Sequence, residues 1–166
     1  MLEPDYYFES VFEIPFGVLW DKNIRGIIFD IDNTLTAYDE DRPSPEIVDM
    51  LGKLLDMGFK LCLLTNNTNK RLTSFNQDIS LPGFASALKP LAFGVKKAIN
   101  IMEVEASQTA IVGDQLLTDV WAGKNAGIAT ILVKPISQKD FAFVKFKRII
   151  ENKMLKNYFA KLEQSE

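Results

Sequence analysis

Residues 27–35 read IIFDIDNTL, an apolar run that leads into two acidic residues separated by one position. A short apolar run bounded by polar residues is typical of a buried β-strand, and we predict a strand over residues 26–31. Asp30 and Asp32 can both face one crevice if the chain turns where this strand ends. Two carboxylates so close repel each other, and a divalent cation would relieve the repulsion.

Strands and helices alternate along the chain beyond this run. Apolar runs predict further strands over residues 60–64, 84–88, 109–112 and 129–133. Capping residues and helical spacing predict helices over residues 45–57, 69–79, 90–102 and 116–126, and from about residue 138 onward. The alternation is typical of a Rossmann-like α/β fold, with three α/β/α layers and a central parallel sheet.

The 166 residues are expected to form one structural domain with three parts. Residues 1–24 are rich in aromatic residues without a clear period, and we predict an irregular lead-in packed on the core. Residues 25–135 form the predicted α/β core, and residues 136–166 a basic amphipathic helix. Residues 134–166 hold eight Lys or Arg against four Asp or Glu, whereas the net charge of the whole chain is −3.

The composition excludes several classes of chemistry. The chain has no histidine, which excludes Ser-His-Asp and Cys-His nucleophiles in their usual forms. Cys62 is the single cysteine, so no intramolecular disulfide can form and a reducing compartment is expected. No apolar run approaches the roughly 20 residues of a membrane span. We expect a cytoplasmic protein, with peripheral attachment at the inner face of the membrane as an alternative, and no nucleic-acid partner.

Polar residues follow the predicted strands at the points where the strands end. They are Asp30 and Asp32 after the first strand, Thr65 after the second, Lys89 after the third and Asp114 after the fourth. Parallel strands bring their carboxyl ends to one edge of a sheet, where ligands of such folds bind. Carboxylates, hydroxyls and a lysine suit a hard cation such as Mg²⁺ beside a phosphoryl group.

These residue types predict a covalent mechanism for phosphate chemistry. Asp30 would attack phosphorus and form an aspartyl-phosphate. Asp32 would protonate the leaving oxygen and later take a proton from the water that hydrolyses the intermediate. Lys89 and Thr65 would stabilise the negative charge of the transferred group.

Two further acidic residues extend the predicted metal site. Asp114 would supply a ligand from another strand, and Mg²⁺ is the cofactor that such ligands favour. Asp119 follows five residues later on the next predicted helix. Asp119 would either hydrogen-bond to the metal ligands without touching the metal, or bind the metal through a water molecule.

These segments together resemble the haloacid dehalogenase (HAD) superfamily. The resemblance rests on FDIDNT at residues 29–34, LLTN at 63–66, KP at 89–90 and GDQLLTD at 113–119. The match spans residues 25–135, which it identifies as an HAD-like catalytic core.

The resemblance also implies roles for individual residues. Asp30 would be the nucleophile and a metal ligand, and Asp32 the acid/base that also binds the metal through its backbone carbonyl. Asp114 would be a further Mg²⁺ ligand. Because Asp32 is present, phosphate chemistry is favoured over dehalogenation. The substrate-binding residues would be Thr65, Asn66 and Lys89.

The spacing of these motifs leaves no room for a large cap domain, because residues 66–88 number only 23. An open site is expected, as in capless HAD members that act on bulky or surface-presented substrates. More narrowly, the chain resembles the YqeG-type subclass IIIA phosphatases, whose mitochondrial and plastid relatives are phosphatidylglycerophosphate phosphatases. The resemblance implies a phosphorylated substrate, with an anionic phospholipid at a membrane surface as one candidate. It implies no particular oligomeric state.

The C-terminal segment allows two interpretations. Apolar side chains fall at helical spacing on one face, and lysines lie mostly elsewhere, as on helices that bind anionic membranes. A terminal helix that packs this stripe on the domain is the alternative, and we favour it. The stripe consists of Phe143, Phe146, Ile150, Met154 and Tyr158.

Other phosphate-handling families fit less well. A cysteine phosphatase needs Cys-x₅-Arg, but Thr68 stands six residues after Cys62. A response-regulator receiver carries its phospho-acceptor after the third strand, and a P-loop motif is absent. Two alternatives stay open: a phosphatase of a soluble phosphate ester or phosphoprotein, and a non-catalytic HAD scaffold that assists a protein partner.

Overall fold

The computed structural model describes residues 2–137 and 142–163, including their side chains except those of residues 142–147 and 162. The strands in these residues are β1 (Tyr6–Phe8), β2 (Gly26–Phe29), β3 (Lys60–Leu64), β4 (Gly83–Phe84), β5 (Thr109–Gly113) and β6 (Ala129–Val133). The helices are α1 (Phe16–Asp21), α2 (Pro45–Asp56), α3 (Asn69–Asn76), α4 (Ala92–Met102), α5 (Trp121–Ala126) and α6 (Ala142–Glu163). All strands are parallel and form one sheet in the order β1-β6-β5-β2-β3-β4.

Strand β2 lies in the middle of the sheet and is fully buried. Its side chains alternate between the two faces, as the pleat of a strand requires. Ile27 and Phe29 pack on the face covered by α1, α2 and α3, and Ile28 packs on the face covered by α4 and α5. Helices on both faces confirm the predicted three-layer α/β/α fold, and within the part of the chain that the structure describes no large cap covers the sheet.

The start of α2 follows the predicted capping pattern. The Ser44 hydroxyl accepts a hydrogen bond from the backbone N–H of Ile47, and Pro45 occupies the first turn. Because the first N–H groups of a helix have no partner inside the helix, such a cap stabilises the start of α2.

The prediction of an irregular N-terminal segment is wrong for residues 6–8 and 16–21, which form β1 and α1. Strand β1 has only three residues, too few to show a period, and its partner β6 is far away in the sequence. The side chains of Val11, Ile14 and Leu19 are buried in the core.

The third predicted strand is shorter than expected, because β4 ends at Phe84 rather than at residue 88. Ser86 and Leu88 have backbone φ values of 48° and 58°. This left-handed conformation cannot continue an extended strand. The helix predicted over residues 116–126 begins as one π-helical turn at Leu116–Val120 before α5.

Helix α6 packs on the sheet edge formed by β1 and β6. Met154 and Leu155 lie against a buried cluster of Leu116, Val120 and Leu132, and Phe159 meets Tyr7 edge to face. The predicted stripe only partly coincides with this packed face. Its member Ile150 is exposed, Met154 and Tyr158 are half-buried, and the side chains of residues 143 and 146 lie outside the described residues.

Within the described residues, no helix combines the length and the apolar character needed to cross a bilayer.

Candidate active site

The carboxyl ends of β2 and β5 bring three acidic side chains together at one edge of the sheet. One carboxylate oxygen from each of Asp30, Asp114 and Asp119 lies within 4.8 Å of the others, and all three side chains are buried. Asp30 follows β2 directly, and its backbone N–H donates to the carbonyl of Val112 in β5. Hard oxygen ligands grouped in this way fit a cation such as Mg²⁺.

Lys89 balances part of this negative charge. Its Nζ donates to Asp30 Oδ1 and to Asp119 Oδ1, both at 2.6 Å, and to the backbone carbonyl of Leu64 at 3.0 Å. Burial acts to lower the pKa of Lys89, but the carboxylates of Asp119 and Asp30 outweigh it and hold that pKa above its usual value. Lys89 is therefore a fixed positive charge within the site.

Asn66, which the sequence predicts to bind substrate, contacts the backbone of Lys89. Its side-chain amide accepts from the backbone N–H of Lys89 at 2.8 Å and donates to the backbone carbonyl of Lys89 at 3.0 Å. The amide oxygen and one N–H of the amide nitrogen thereby bind the main chain of Lys89. The described contacts make Asn66 a support for Lys89, because two hydrogen bonds to one residue fix its backbone.

Asp119 lies closer to the cluster than the sequence alone suggested. Its Oδ2 accepts from the backbone N–H of Gln115 at 3.0 Å, and its other oxygen meets Lys89. The close approach depends on Gly113, because a Cβ at that position would overlap the carboxyl group of Asp119. A glycine is therefore required at position 113, because any larger residue would displace the Asp119 side chain.

The buried carboxylates are short of positive charge. Burial raises the pKa of Asp30 well above its usual range, against the opposing effect of Lys89. Burial and the neighbouring Asp119 raise the pKa of Asp114 to about 7, against the opposing effect of Arg148. Desolvation and neighbouring like charges both favour the protonated form of these acids. A bound divalent cation would favour the ionised form instead.

Asp32 faces a different side of the site from the three clustered carboxylates. Its Oδ1 accepts from Arg71 Nε at 2.8 Å, and its Oδ2 accepts from Asn67 Nδ2 at 3.1 Å. Both donors come from the segment between β3 and the second turn of α3. Sequence reasoning missed Arg71 and Asn67, although both lie within six residues of the strand-end Thr65.

Two threonines also line the site. Thr65 is buried at the end of β3, and its Oγ1 accepts from the backbone N–H of Asn67 at 3.0 Å. The Thr34 hydroxyl lies 3.3 Å from Asp114 Oδ1 and 3.4 Å from Asp30 Oδ2. Thr34 belongs to the quoted motif, but its bridging position was not predicted.

Helix α6 contributes a basic residue to the site. Arg148 Nη2 donates to Asp114 Oδ2 at 2.6 Å, and Glu151 Oε1 accepts from the backbone N–H of Leu117 at 2.8 Å. Sequence reasoning treated α6 as a membrane or packing element and missed both contacts. Each contact joins residues 34 positions apart, so no local sequence pattern predicts it.

Comparison with known proteins identifies relatives over most of the chain. A family model described as HAD-hydrolase-like matches residues 87–135. The probable phosphatase YqeG of Bacillus subtilis (strain 168) is 32% identical over 152 residues, which cover 92% of this chain and 88% of that protein. The phosphatidylglycerophosphate phosphatase 1, chloroplastic/mitochondrial, of Arabidopsis thaliana is 31% identical over 165 residues, covering 89% of this chain and 45% of that protein.

Solved structures share the fold. NagD from the E. coli K-12 strain superposes with a TM-score of 0.57 at 18% identity, covering 70% of this chain and 90% of that chain. The similarity to YqeG extends over nearly the whole of both chains. The chain therefore belongs to the YqeG-type phosphatases of the HAD superfamily and is a phosphoric monoester hydrolase.

Proposed function

We propose that this phosphatase is Mg²⁺-dependent and acts through an aspartyl-phosphate on Asp30. The observation that carries the proposal is the cluster of Asp30, Asp114 and Asp119 around Lys89 at the carboxyl ends of the strands. The cluster combines a nucleophile, metal ligands and a fixed positive charge in one buried place. Phosphoryl transfer needs this combination, because charge is spread over the oxygens of the transferred group.

The metal would be held by the carboxylates of Asp30 and Asp114 and by the backbone carbonyl of Asp32. Asp119 supports the arrangement through Lys89 and Gln115. When bound, Mg²⁺ neutralises phosphate charge and orients the phosphoryl group. The surplus of buried carboxylates over neighbouring cations supports this assignment.

The first step forms the phosphoenzyme. A carboxylate oxygen of Asp30 attacks phosphorus, and the bond between phosphorus and the ester oxygen breaks. The carboxyl group of Asp32 donates its proton to that oxygen, so that the leaving group departs as an alcohol. Lys89 contacts Oδ1 of Asp30 and therefore restricts the rotation of the nucleophile.

The second step releases phosphate. Asp32, now a carboxylate, takes a proton from a water molecule as the water attacks phosphorus. The bond between phosphorus and Asp30 breaks, which restores both acids for the next cycle. The Thr65 hydroxyl and the Lys89 ammonium stabilise the charge on the phosphoryl oxygens in both steps.

For the substrate, we propose phosphatidylglycerophosphate or a closely similar anionic phospholipid phosphate. The relative from Arabidopsis carries that substrate in its name, and it matches 89% of this chain. Residues 2–137 and 142–163 form no large cap over the sheet, and this open site together with the lysines of α6 supports a substrate presented at a membrane surface. The corresponding location is the cytoplasmic face of the membrane.

A phosphatase assay with an aryl phosphate tests the catalytic assignment. Wild-type protein with Mg²⁺ is expected to release phosphate, and Asp30→Asn to lose more than about a thousandfold in rate, because the nucleophile is gone. Chelation of the metal is expected to stop the wild type as well. Equal rates for wild type and Asp30→Asn, with both proteins folded, would contradict the role of Asp30.

A further inference from the structure

The carboxylate of Asp32 is held from both sides by side chains of a neighbouring segment. Arg71 Nε donates to Oδ1 at 2.8 Å, and Asn67 Nδ2 donates to Oδ2 at 3.1 Å. An arginine and an amide that occupy both oxygens fix the plane of a carboxylate. We refer to Arg71 and Asn67 together as the Asp32 clamp.

Arg71 is itself firmly placed. Only 9% of its surface is exposed, and its backbone N–H is capped by the Thr68 hydroxyl at 3.3 Å at the start of α3. Its Nη2 lies 3.5 Å from the backbone carbonyl of Ala37, and its Nη1 lies 4.0 Å from a carboxylate oxygen of Asp41. Arginine is rarely buried to this degree unless it is paired, and the closest partner here is Asp32.

The clamp lies on the side of the site opposite to Arg148. Asp114 and Arg148 belong to the side formed by β5 and α6, whereas Arg71 approaches from α3, which follows β3. Strand β2, which carries Asp30, runs between β5 and β3 in the sheet. A leaving oxygen that reaches Asp32 must therefore lie on the α3 side of the nucleophile.

We propose that Arg71 is a positioning residue for the acid/base Asp32, acting together with Asn67. The inference rests on the proposed function, because it assumes that Asp32 transfers the proton to the leaving group. Arg71 acts on the reaction through Asp32. It holds the Asp32 carboxyl group where the proton meets the leaving oxygen, and a misplacement of about 1 Å is enough to cost large factors in rate.

The proposal predicts a dependence on the leaving group. An alkyl alkoxide is a poor leaving group and needs the proton from Asp32, whereas p-nitrophenolate departs without it. General acid catalysis contributes about 10²–10⁴-fold in rate where it is needed. Loss of the clamp should therefore slow hydrolysis of alkyl phosphates much more than that of p-nitrophenyl phosphate.

The experiment compares kcat/KM for β-glycerophosphate and p-nitrophenyl phosphate, using the full chain with Mg²⁺. We expect Arg71→Met to lower the alkyl-to-aryl ratio of kcat/KM at least about tenfold. Arg71→Lys should restore part of the ratio, since an ammonium retains the charge but lacks the planar fork. Because kcat/KM covers the steps up to departure of the alcohol, slow dephosphorylation does not hide the effect.

Arg42 provides a matched control. It is an arginine on the adjacent loop, about half exposed, and it pairs with Asp78 at 3.2 Å and with Gln77 at 3.0 Å. Arg42→Met removes a surface arginine of the same size and should leave the ratio unchanged. Asn67→Ala removes the other half of the clamp from a half-buried position and should shift the ratio in the same direction as Arg71→Met.

The possible outcomes separate this inference from the proposed function. A wild type that hydrolyses neither substrate overturns the proposed function. If the wild type hydrolyses both substrates, and the variants lose the two activities equally or lose neither activity, the proposed role of Arg71 is wrong. The proposed function would be unaffected by that result. If a thermal melt shows that Arg71→Met is not folded, the test rests on Asn67→Ala and Arg71→Lys. An unchanged alkyl-to-aryl ratio of kcat/KM in both of these variants overturns the inference.

Discussion

The ammonium of Lys89 lies 2.6 Å from a carboxylate oxygen of Asp30 and 2.6 Å from one of Asp119. All three side chains are almost completely removed from water. Buried charges are tolerated when they are paired, and removing one partner leaves the others uncompensated. Lys89 therefore has a structural role in addition to its proposed role in binding phosphate.

Lys89→Met should destabilise the metal-free protein by about 3–5 kcal/mol, because two buried carboxylates lose their shared cation. Urea unfolding near neutral pH in the presence of a chelator measures this loss. Lys53→Met is the control, since Lys53 forms an exposed pair with Asp49 within α2 and should lose less than about 1 kcal/mol. A similar loss for both variants would contradict the importance of the buried pair.

Strand β1 shows how a short element becomes part of a sheet. It contributes three residues at the edge and pairs in parallel with β6. Asp5, just before the strand, joins the two: its Oδ2 accepts from the backbone N–H and the hydroxyl of Thr130, both at 2.8 Å. Its Oδ1 pairs with Lys124 at 2.5 Å. Side-chain contacts thus reinforce a pairing that three backbone positions support only weakly.

The pH dependence of Asp5→Asn tests this attachment. Burial acts to raise the pKa of Asp5, but hydrogen bonds from Lys124 and Thr130 outweigh it and hold that pKa below its ordinary 3.8. A carboxyl group whose pKa is lower in the folded state stabilises the protein at pH values above its pKa in the unfolded chain. This stabilisation is lost as the pH falls through the pKa of the folded state. Because the side chain is partly exposed, we expect a loss of about 1 kcal/mol near pH 7.

Thermal melts measure the effect. Asp5→Asn should lower Tm near pH 7 by about 2–4 °C and should approach the wild-type Tm well below pH 3.8. A difference in Tm that stays constant over this range would show that the charge of Asp5 is not what attaches β1.

At the scale of the whole molecule, charge and access to the site are unevenly distributed. Residues 1–133 hold eleven Lys or Arg against eighteen Asp or Glu, whereas residues 134–166 carry a positive excess. Helix α6 packs Met154 and Leu155 inward and exposes Lys153 and Lys156. It also reaches the site through Arg148. The basic helix therefore borders the edge of the sheet where the proposed chemistry takes place.

This arrangement predicts a preference for substrate on an anionic surface. Phosphatidylglycerophosphate in anionic vesicles should be hydrolysed faster than soluble β-glycerophosphate, and high salt should reduce the difference by screening surface charges. The double variant Lys153→Glu/Lys156→Glu should weaken vesicle binding without changing hydrolysis of p-nitrophenyl phosphate. Lys60→Glu, at the amino end of β3, is the control and should bind vesicles as the wild type does. No preference for the lipid would exclude the lipid substrate while leaving the phosphatase intact.

The amino-acid sequence alone predicts the α/β architecture, the positions of β2, β3, β5 and β6, and the acidic residues at the strand ends. Short apolar runs report burial directly, because a central strand of a parallel sheet is covered on both faces. The strand-end residues follow from the same pattern, since parallel strands must bring their carboxyl ends together. Membership of the HAD superfamily was readable from these residues.

Which side chains meet is visible only in the folded molecule. Arg71 reaches Asp32 across 39 positions, Arg148 reaches Asp114 across 34, and Asp5 reaches Thr130 across 125. A local pattern cannot indicate such pairs, because their direction depends on how distant segments pack. The same reason explains why β1 was missed and why the hydrogen bonds between Asn66 and the backbone of Lys89 were not predicted. The positions of the strand ends can thus be predicted from local sequence, whereas the side chains that contact Asp30 and Asp32 depend on how distant segments pack in the folded protein.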